Sequence, residues 1–214
     1  ALYNRSQTFF MDILVNPDKF FSERKTMSFK LPVVIVLISA IMATFTAYFS
    51  LETVLEVAVK EMRKQGLSGS QIEMFKPLIM VSTLGGAFVS TFVGWMVVTA
   101  LLYVFSAIFK GKGNFATLMK FVAFSYIPAI ILCPITIYLG YESFVMRNSD
   151  ALTASVFFGM VLYIWQSVYW VFAVKNAREL SSRHAAIASG IVLLIFLSAS
   201  IYALLQPSII EIVG

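Results

Sequence analysis

The stretch "PLIMVSTLGGAFVSTFVGWMVVTALLYVFSAIF", residues 77–109, contains no Asp, Glu, Lys, Arg or His. About 20 helical residues cross the roughly 30 Å hydrocarbon core of a bilayer, so this stretch is longer than a perpendicular crossing needs. Surface helices of soluble proteins carry a polar face at a period of 3.6 residues, and this stretch has none. It therefore predicts a membrane-spanning helix that tilts, starts above the membrane or breaks, with Gly85–Gly86 as the weakest point.

Four further intervals lack ionisable residues: 31–51, 121–141, 151–174 and 185–210. The chain is 59% hydrophobic and 13% charged, with mean hydropathy +0.86, whereas soluble domains carry about 25% charged residues. We predict an all-α polytopic membrane protein with five transmembrane helices. In this interpretation a membrane domain, 31–214, contains spans at about 31–51, 78–109, 118–140, 151–174 and 185–207.

The basic residues predict the orientation. Most of them lie in the N-terminal segment and in the loops 110–120 and 175–184, and fewer lie between the other spans. Because Lys and Arg stay preferentially on the cytoplasmic side, we expect a cytoplasmic N-terminus and an extracytoplasmic C-terminus. The net charge of +5 is then a topology signal, with no nucleic-acid partner expected. Anionic lipid headgroups are the expected partners of seven cations: Lys19, Arg24, Lys110, Lys112, Lys175, Arg178 and Arg183.

The N-terminal segment, 1–30, predicts two short amphipathic helices at the cytoplasmic interface. The first presents apolar side chains on one face: Phe9, Phe10, Ile13 and Leu14. Asn16 is the predicted N-cap of the second helix, with Pro17 at its first position and Phe20 and Phe21 following. A simple elbow leading into the first span is the alternative.

Residues 52–77 predict an extracytoplasmic helical hairpin. The first span continues into strong helix formers, and Gly66 is the expected stop. After a flexible joint at 68–70, Ser70 and Glu73 fit a capping box for a return helix that ends before Pro77. An apolar stripe serves either as the packing face of the hairpin or as a partner surface: Val54, Leu55, Ala58 and Met62.

Small residues recur every fourth position in the second span: Ser82, Gly86, Ser90 and Gly94. Such spacing lets helix backbones approach closely, so we expect a packing seam within the chain, with a homo-oligomer contact as the alternative. In the third span Pro128 and Pro134 each remove a backbone hydrogen bond and predict bends.

The predicted spans contain no ionisable catalytic group, and His184 is the only histidine. Intramembrane proteases need carboxylates, a Ser–His pair or metal ligands, and ion-coupled transporters usually keep a titratable group at depth. We therefore expect no catalytic residues, no metal site, no cofactor and no enzymatic activity.

The turn "GKGNF" followed by "TLMKFVAFSYIP" resembles the core of the YIP family of Ypt/Rab-interacting membrane proteins. The matching positions are Gly111, Gly113, Asn114, Phe115, Ser125, Tyr126 and Pro128. The N-terminal Pro17, Phe20 and Phe21 are similar to the lead-in of prokaryotic members. The acidic "DLYGP"-type segment of eukaryotic members is missing, so GTPase binding is not carried over. The resemblance implies an integral protein of a bacterial or archaeal cell membrane, some relatives being accessory partners of export machinery.

Two functions follow as hypotheses. The first is a non-enzymatic scaffold or accessory subunit that binds another integral membrane protein, such as an ABC-type exporter subunit, or a second copy of itself. The alternative is a channel or transporter for a small apolar or lipid-like solute, using the bent third span and Gln166.

Overall fold

The structure is a computed structural model that describes residues 12–205, and every regular element in that range is helical. A helical turn at 12–15 precedes α1. The elements that follow are α1 (Pro17–Glu23), α2 (Lys30–Lys64), α3 (Gly69–Ile108), α4 (Phe115–Val122), a 3-10 turn (Ala123–Tyr126), α5 (Ile127–Ile131), α6 (Cys133–Phe144), α7 (Ser149–Arg178) and α8 (Ser182–Leu204).

Four of these helices, α2, α3, α7 and α8, are long and apolar enough to cross a membrane. A fifth crossing results if the segment Phe115–Ile131 and α6, which are bent by 60° at a short break, form one span. The all-helical fold is therefore confirmed, with four to five candidate membrane spans. The bend falls where Pro128 and Pro134 predicted it, since each proline removes one bond of the helical ladder.

The start of α1 agrees with the sequence. The Asn16 side chain accepts a hydrogen bond from the Lys19 backbone N–H at 3.1 Å, and Pro17 occupies the first helical position. The predicted helix before it is described only from residue 12 onward, so Phe9 and Phe10 lie outside the described residues. Within that helical turn Ile13 is fully buried.

The turn between α2 and α3 differs in part from the prediction. Gly66 follows the end of α2 with a φ of 81°. The Leu67 N–H donates to the Met62 carbonyl at 3.1 Å, a bond typical of a glycine C-cap. The capping box is formed by Ser68 and Gln71, because the Gln71 side chain accepts from the Ser68 N–H at 2.9 Å. The predicted Ser70–Glu73 box is wrong.

The helix α3 runs without interruption through Pro77 and through Gly85–Gly86. The predicted end before Pro77 is therefore wrong. Of the three alternatives for the long uncharged stretch, the break at the glycine pair is excluded. In hydrocarbon an unsatisfied backbone group costs several kcal/mol, so a helix is retained even across residues that would weaken it in water.

The chain divides into two compact units. The described part of the first unit comprises 12–36, Gly94–Pro128 and Tyr163–Phe196. Its core contains large, fully buried side chains: Phe20, Phe21, Phe121, Phe124, Leu118 and Trp170.

The described part of the second unit comprises Leu37–Val93, Ala129–Leu162 and 197–205. Its buried side chains are smaller and include Leu51, Thr53 and Ser143. An ion pair between Arg147 and Glu56, at 2.7 Å to both carboxylate oxygens, joins the turn after α6 to α2.

Candidate functional site

Arg178, the last residue of α7, anchors the turn between α3 and α4. Its Nε donates to Ser106 Oγ at 3.1 Å, and its Nη2 donates to the Gly111 carbonyl at 2.5 Å. The guanidinium also lies 4.1 Å from the centre of the Tyr103 ring. Arg178 is only 3% exposed and has no carboxylate partner among the described residues. The Ser106 hydroxyl, the Gly111 carbonyl and the Tyr103 ring face therefore stabilise this cation.

The glycines of this turn are needed for space. A Cβ on Gly113 would lie 1.6 Å from the Ala177 carbonyl oxygen, and one on Gly111 would lie 3.1 Å from Arg178 atoms. The Lys112 N–H donates to the Arg178 carbonyl at 3.0 Å, which holds the turn against α7. Both glycines thus permit close approach of two backbones.

The left-handed residue of the turn is Lys110, with a φ of 60°. Its N–H donates to the Ala107 carbonyl and the Gly111 N–H donates to the Ser106 carbonyl, the pattern of a Schellman C-cap. Glycine usually occupies this position, and a side chain there costs about 1–2 kcal/mol. The left-handed backbone conformation that reverses the chain after α3 is therefore adopted by Lys110.

The next motif residues begin α4. Asn114 caps the helix, its side chain accepting from the Thr117 N–H at 2.7 Å. The Phe115 ring packs edge-on against Tyr103 with 5.6 Å between ring centres. Tyr103 consequently contacts both Arg178 and Phe115, which joins the start of α4 to α3 and α7.

The second half of the motif lies where the third span changes from α to 3-10 geometry. Ser125 and Pro128 are buried, and Ser125 Oγ donates to the Val122 carbonyl at 2.8 Å. The Tyr126 hydroxyl lies 3.7 Å from the position of a Cβ on Gly94. A Cβ at Gly94 would therefore make an ordinary van der Waals contact with Tyr126.

Residues 11–204 match the Yip1 domain family. The chain belongs to that family. An uncharacterized protein of the archaeon Methanocaldococcus jannaschii is 30% identical over 137 residues, which cover 61% of this chain and 87% of the relative. No solved structure matches. The resemblance drawn from the GKGNF turn is thereby confirmed, and the archaeal relative is consistent with a prokaryotic Yip1 protein.

In this Yip1-family chain, polar contacts hold the N-terminal segment against the rest of the first unit. Asp18 accepts from Lys175 Nζ at 2.6 Å and from Asn176 Nδ2 at 2.9 Å. Lys120 Nζ donates to the Met27 carbonyl at 2.8 Å. These bonds join α1 and the residues after it to α4 and α7. The hydrogen bond from Lys175, then that from Asn176, lowers the pKa of the Asp18 carboxyl.

The aromatic face of α1 is buried inside the protein. Phe20 and Phe21 are both 0% exposed. Phe21 packs on Phe121 at 4.7 Å between ring centres, and Phe20 packs on Phe124 at 5.1 Å. Insertion of these two rings into the headgroup layer, as the amphipathic pattern suggested, is therefore wrong. An amphipathic pattern shows only that one helix face is apolar. Such a face can be buried against a protein core as well as against lipid.

The seven cations expected at lipid headgroups separate into two groups. Arg178 is buried, so its predicted headgroup contact is wrong. Lys175 pairs with Asp18, and Arg24 lies 4.3 Å above the Phe20 ring. The other four are exposed: Lys19, Lys110, Lys112 and Arg183. Of these, Lys19 lies 3.9 Å from Glu23.

The small-residue stripe of α3 does not pack within the chain over most of its length. Ser82, Gly86 and Ser90 are exposed, and a Cβ on Gly86 would meet nothing within 4 Å. The predicted packing seam within the chain is wrong for these three exposed residues, and at the half-buried Gly94 it stays a prediction. The alternative, contact with a second copy, stays a prediction.

The apolar stripe predicted as a partner surface lies along α2 in the second unit. Val54 is exposed, whereas Leu55, Ala58 and Met62 are half-buried. A partner at this stripe stays a prediction. Within residues 12–205 no three His, Cys, Asp or Glu side chains form a group that could hold a metal ion.

Sequence reasoning missed the anchoring role of Arg178 and the contacts of Asp18. The flanking of Lys112 by two glycines was a usable signal, because paired glycines often mark a close approach of backbones. The Asp18–Lys175 contact joins residues 157 positions apart, and no local pattern indicates it.

Proposed function

We propose that this Yip1-family protein is a non-enzymatic membrane scaffold or accessory subunit that binds a transmembrane helix of another integral membrane protein, such as an ABC-type exporter subunit. The observation that supports the proposal is the exposed face of α3 in the second unit. Small residues at Ser82, Gly86 and Ser90 are exposed beside Val81 and Val89, which are 70% and 56% exposed. Without a hydrophobic contrast between helix and lipid, such small positions favour helix association through close packing.

A polar network ties together the helix ends of the first unit, and of its members Arg178 is buried. Arg178, Asp18 and Lys120 all bond to groups of the chain itself, so they hold the helix ends in place.

The test is affinity purification of the tagged, full-length chain from native membranes in mild detergent. We expect a second membrane protein to co-purify with the wild type and to be lost with Gly86→Ile, which fills the stripe. The matched control is Gly159→Ile, because a Cβ on Gly159 also meets nothing within 4 Å. Retention of the partner by Gly86→Ile, or recovery of the chain alone or only as a homo-oligomer, contradicts the proposal.

An apolar cavity favours the alternative function, transport of a lipid-like solute. It has a volume of about 440 Å³ and lies in the second unit, lined by Ile41, Thr44, Phe45, Tyr48, Leu84 and Phe88. Such a lining suits an acyl chain better than an ion. Transfer of a fluorescent phospholipid between leaflets of proteoliposomes tests this alternative. Rates equal to those of protein-free liposomes would exclude it.

A further inference from the structure

Three residues other than glycine adopt left-handed backbone conformations in the described part of the chain. They are Lys110, Arg147 and Glu179, with φ values of 60°, 53° and 56°. Each follows the C-terminal end of a helix. After α2 the left-handed residue is Gly66, which adopts this conformation without strain because it has no Cβ. All three carry a charge, so each position retains a charged side chain where glycine would relieve the backbone.

The charge is used within the chain at two of these positions. Arg147 binds both carboxylate oxygens of Glu56 at 2.7 Å, and Glu179 binds Lys25 Nζ at 3.2 Å. At two of the three left-handed positions the side chain therefore forms an ion pair within the chain. At the third, Lys110, the ammonium group is exposed and has no acidic partner among residues 12–205.

Two further cations lie on segments that are fixed beside Lys110. The Phe109 ring stacks on the His184 imidazole with 4.9 Å between centres, which brings the residues next to them, Lys110 and Arg183, into one region. Lys112 is fixed by the bond from its N–H to the Arg178 carbonyl. Lys112 and Arg183 are exposed and make no ion pair with the described carboxylates.

The surrounding charges reinforce a positive potential. Glu179 is the carboxylate on the adjoining turn, and its charge is offset by Lys25 at 3.2 Å. The buried Arg178 adds a positive charge beneath Gly111. The turn is rigid, because Arg178 and the close approach at Gly113 hold it, so the cations are preorganised for an anion.

We propose that Lys110, Lys112 and Arg183 form a binding site for a phosphate-bearing anion, and that its source is the headgroup of an anionic phospholipid. Phosphate oxygens are strong acceptors for ammonium and guanidinium donors. The lipid source follows from position: Lys110 comes two residues after the end of α3, where Ile108 is 68% exposed, and Arg183 lies in the first turn of α8. Both helices are long and apolar enough to cross a membrane, so their ends lie near headgroups.

The test measures lipid binding to the purified full-length protein in detergent, by displacement of a fluorescent phosphatidylglycerol. The central variant is Lys110→Gly, which removes the cation and relieves the left-handed backbone. We expect about fivefold weaker binding of phosphatidylglycerol, the change that loss of one interfacial cation gives, with thermal stability equal to or above that of the wild type. Lys112→Gln and Arg183→Gln should each weaken binding similarly.

The matched control is Lys60→Gln, which removes an exposed lysine elsewhere on the chain and should leave binding unchanged. Phosphatidylcholine is the zwitterionic control and should compete poorly. Equal binding by Lys110→Gly and wild type, or equal competition by phosphatidylcholine, would overturn the site. Inorganic phosphate that competes as well as the lipid at equal concentration would show a soluble ligand and overturn the assignment to a headgroup.

Discussion

At the scale of single residues, Gly113 lies closer to another segment's backbone than a side chain permits. A Cβ would approach the Ala177 carbonyl oxygen to 1.6 Å, so Gly113→Ala must displace the turn from α7. We expect a loss of about 1–3 kcal/mol in unfolding free energy, the usual range for overpacking, measured by denaturation of the detergent-solubilised protein. Gly159→Ala is the control and should cause no loss, since its Cβ has free space.

Asp18 links pH to stability at the same scale. Because Lys175 and Asn176 lower its folded-state pKa below the ordinary 3.8, the ionised carboxylate stabilises the fold above about pH 4. This contribution is lost as the pH falls through the folded-state pKa. We expect Asp18→Asn to lower Tm by about 2–4 °C at pH 7, since a half-exposed ion pair contributes up to about 1 kcal/mol.

The difference in Tm between wild type and Asp18→Asn should shrink as the pH is lowered below 4. Thermal denaturation followed across that pH series measures it. Asp150→Asn is the control, because Asp150 makes no ion pair in the described part of the chain. A Tm difference that stays constant down to pH 3 would show that the Asp18 charge does not stabilise the fold.

At the scale of elements, α1 is held by its aromatic face. Phe21 is 0% exposed and packs on Phe121 and Phe124, so Phe21→Ala leaves a cavity. We expect a loss of about 3–5 kcal/mol and earlier trypsin cleavage after Arg24 or Lys25 as α1 detaches. Val15→Ala, at a residue 73% exposed, should keep the wild-type cleavage rate. Identical cleavage rates of Phe21→Ala and Val15→Ala would show that the Phe21 ring does not hold α1 in place.

At the scale of the whole molecule, the distribution of basic residues predicts which helix ends face the cytoplasm. Single cysteines test it in a Cys133→Ala background, because Cys133 is the only native cysteine. We expect a membrane-impermeant maleimide to label Ser68→Cys in intact cells and Lys112→Cys only after permeabilisation. Both positions are exposed, so lack of labelling reports sidedness. Labelling of Lys112→Cys in intact cells would reverse the orientation.

The sequence by itself determined the helical fold with its candidate membrane spans, the bend near Pro128 and Pro134, and two helix ends, those at Asn16 and Gly66. Uncharged intervals must become helices in lipid because no water satisfies their backbone groups. The Asn16 cap and the Gly66 stop depend on neighbouring residues only, so the local pattern contained them. The family turn was also visible, because its two glycines lie two positions apart in the sequence.

Only the tertiary structure decided which residues of the same chemical type are buried and which are exposed. Lys110 and Arg178 are both basic residues near helix ends, yet one is exposed and the other is 3% exposed. The difference comes from Ser106 and Gly111, which contact Arg178 from 72 and 67 positions away. Burial of the Phe20 ring and exposure of Gly86 have the same cause. Each depends on which distant segment packs there, and hydrophobicity or small size alone does not specify the partner.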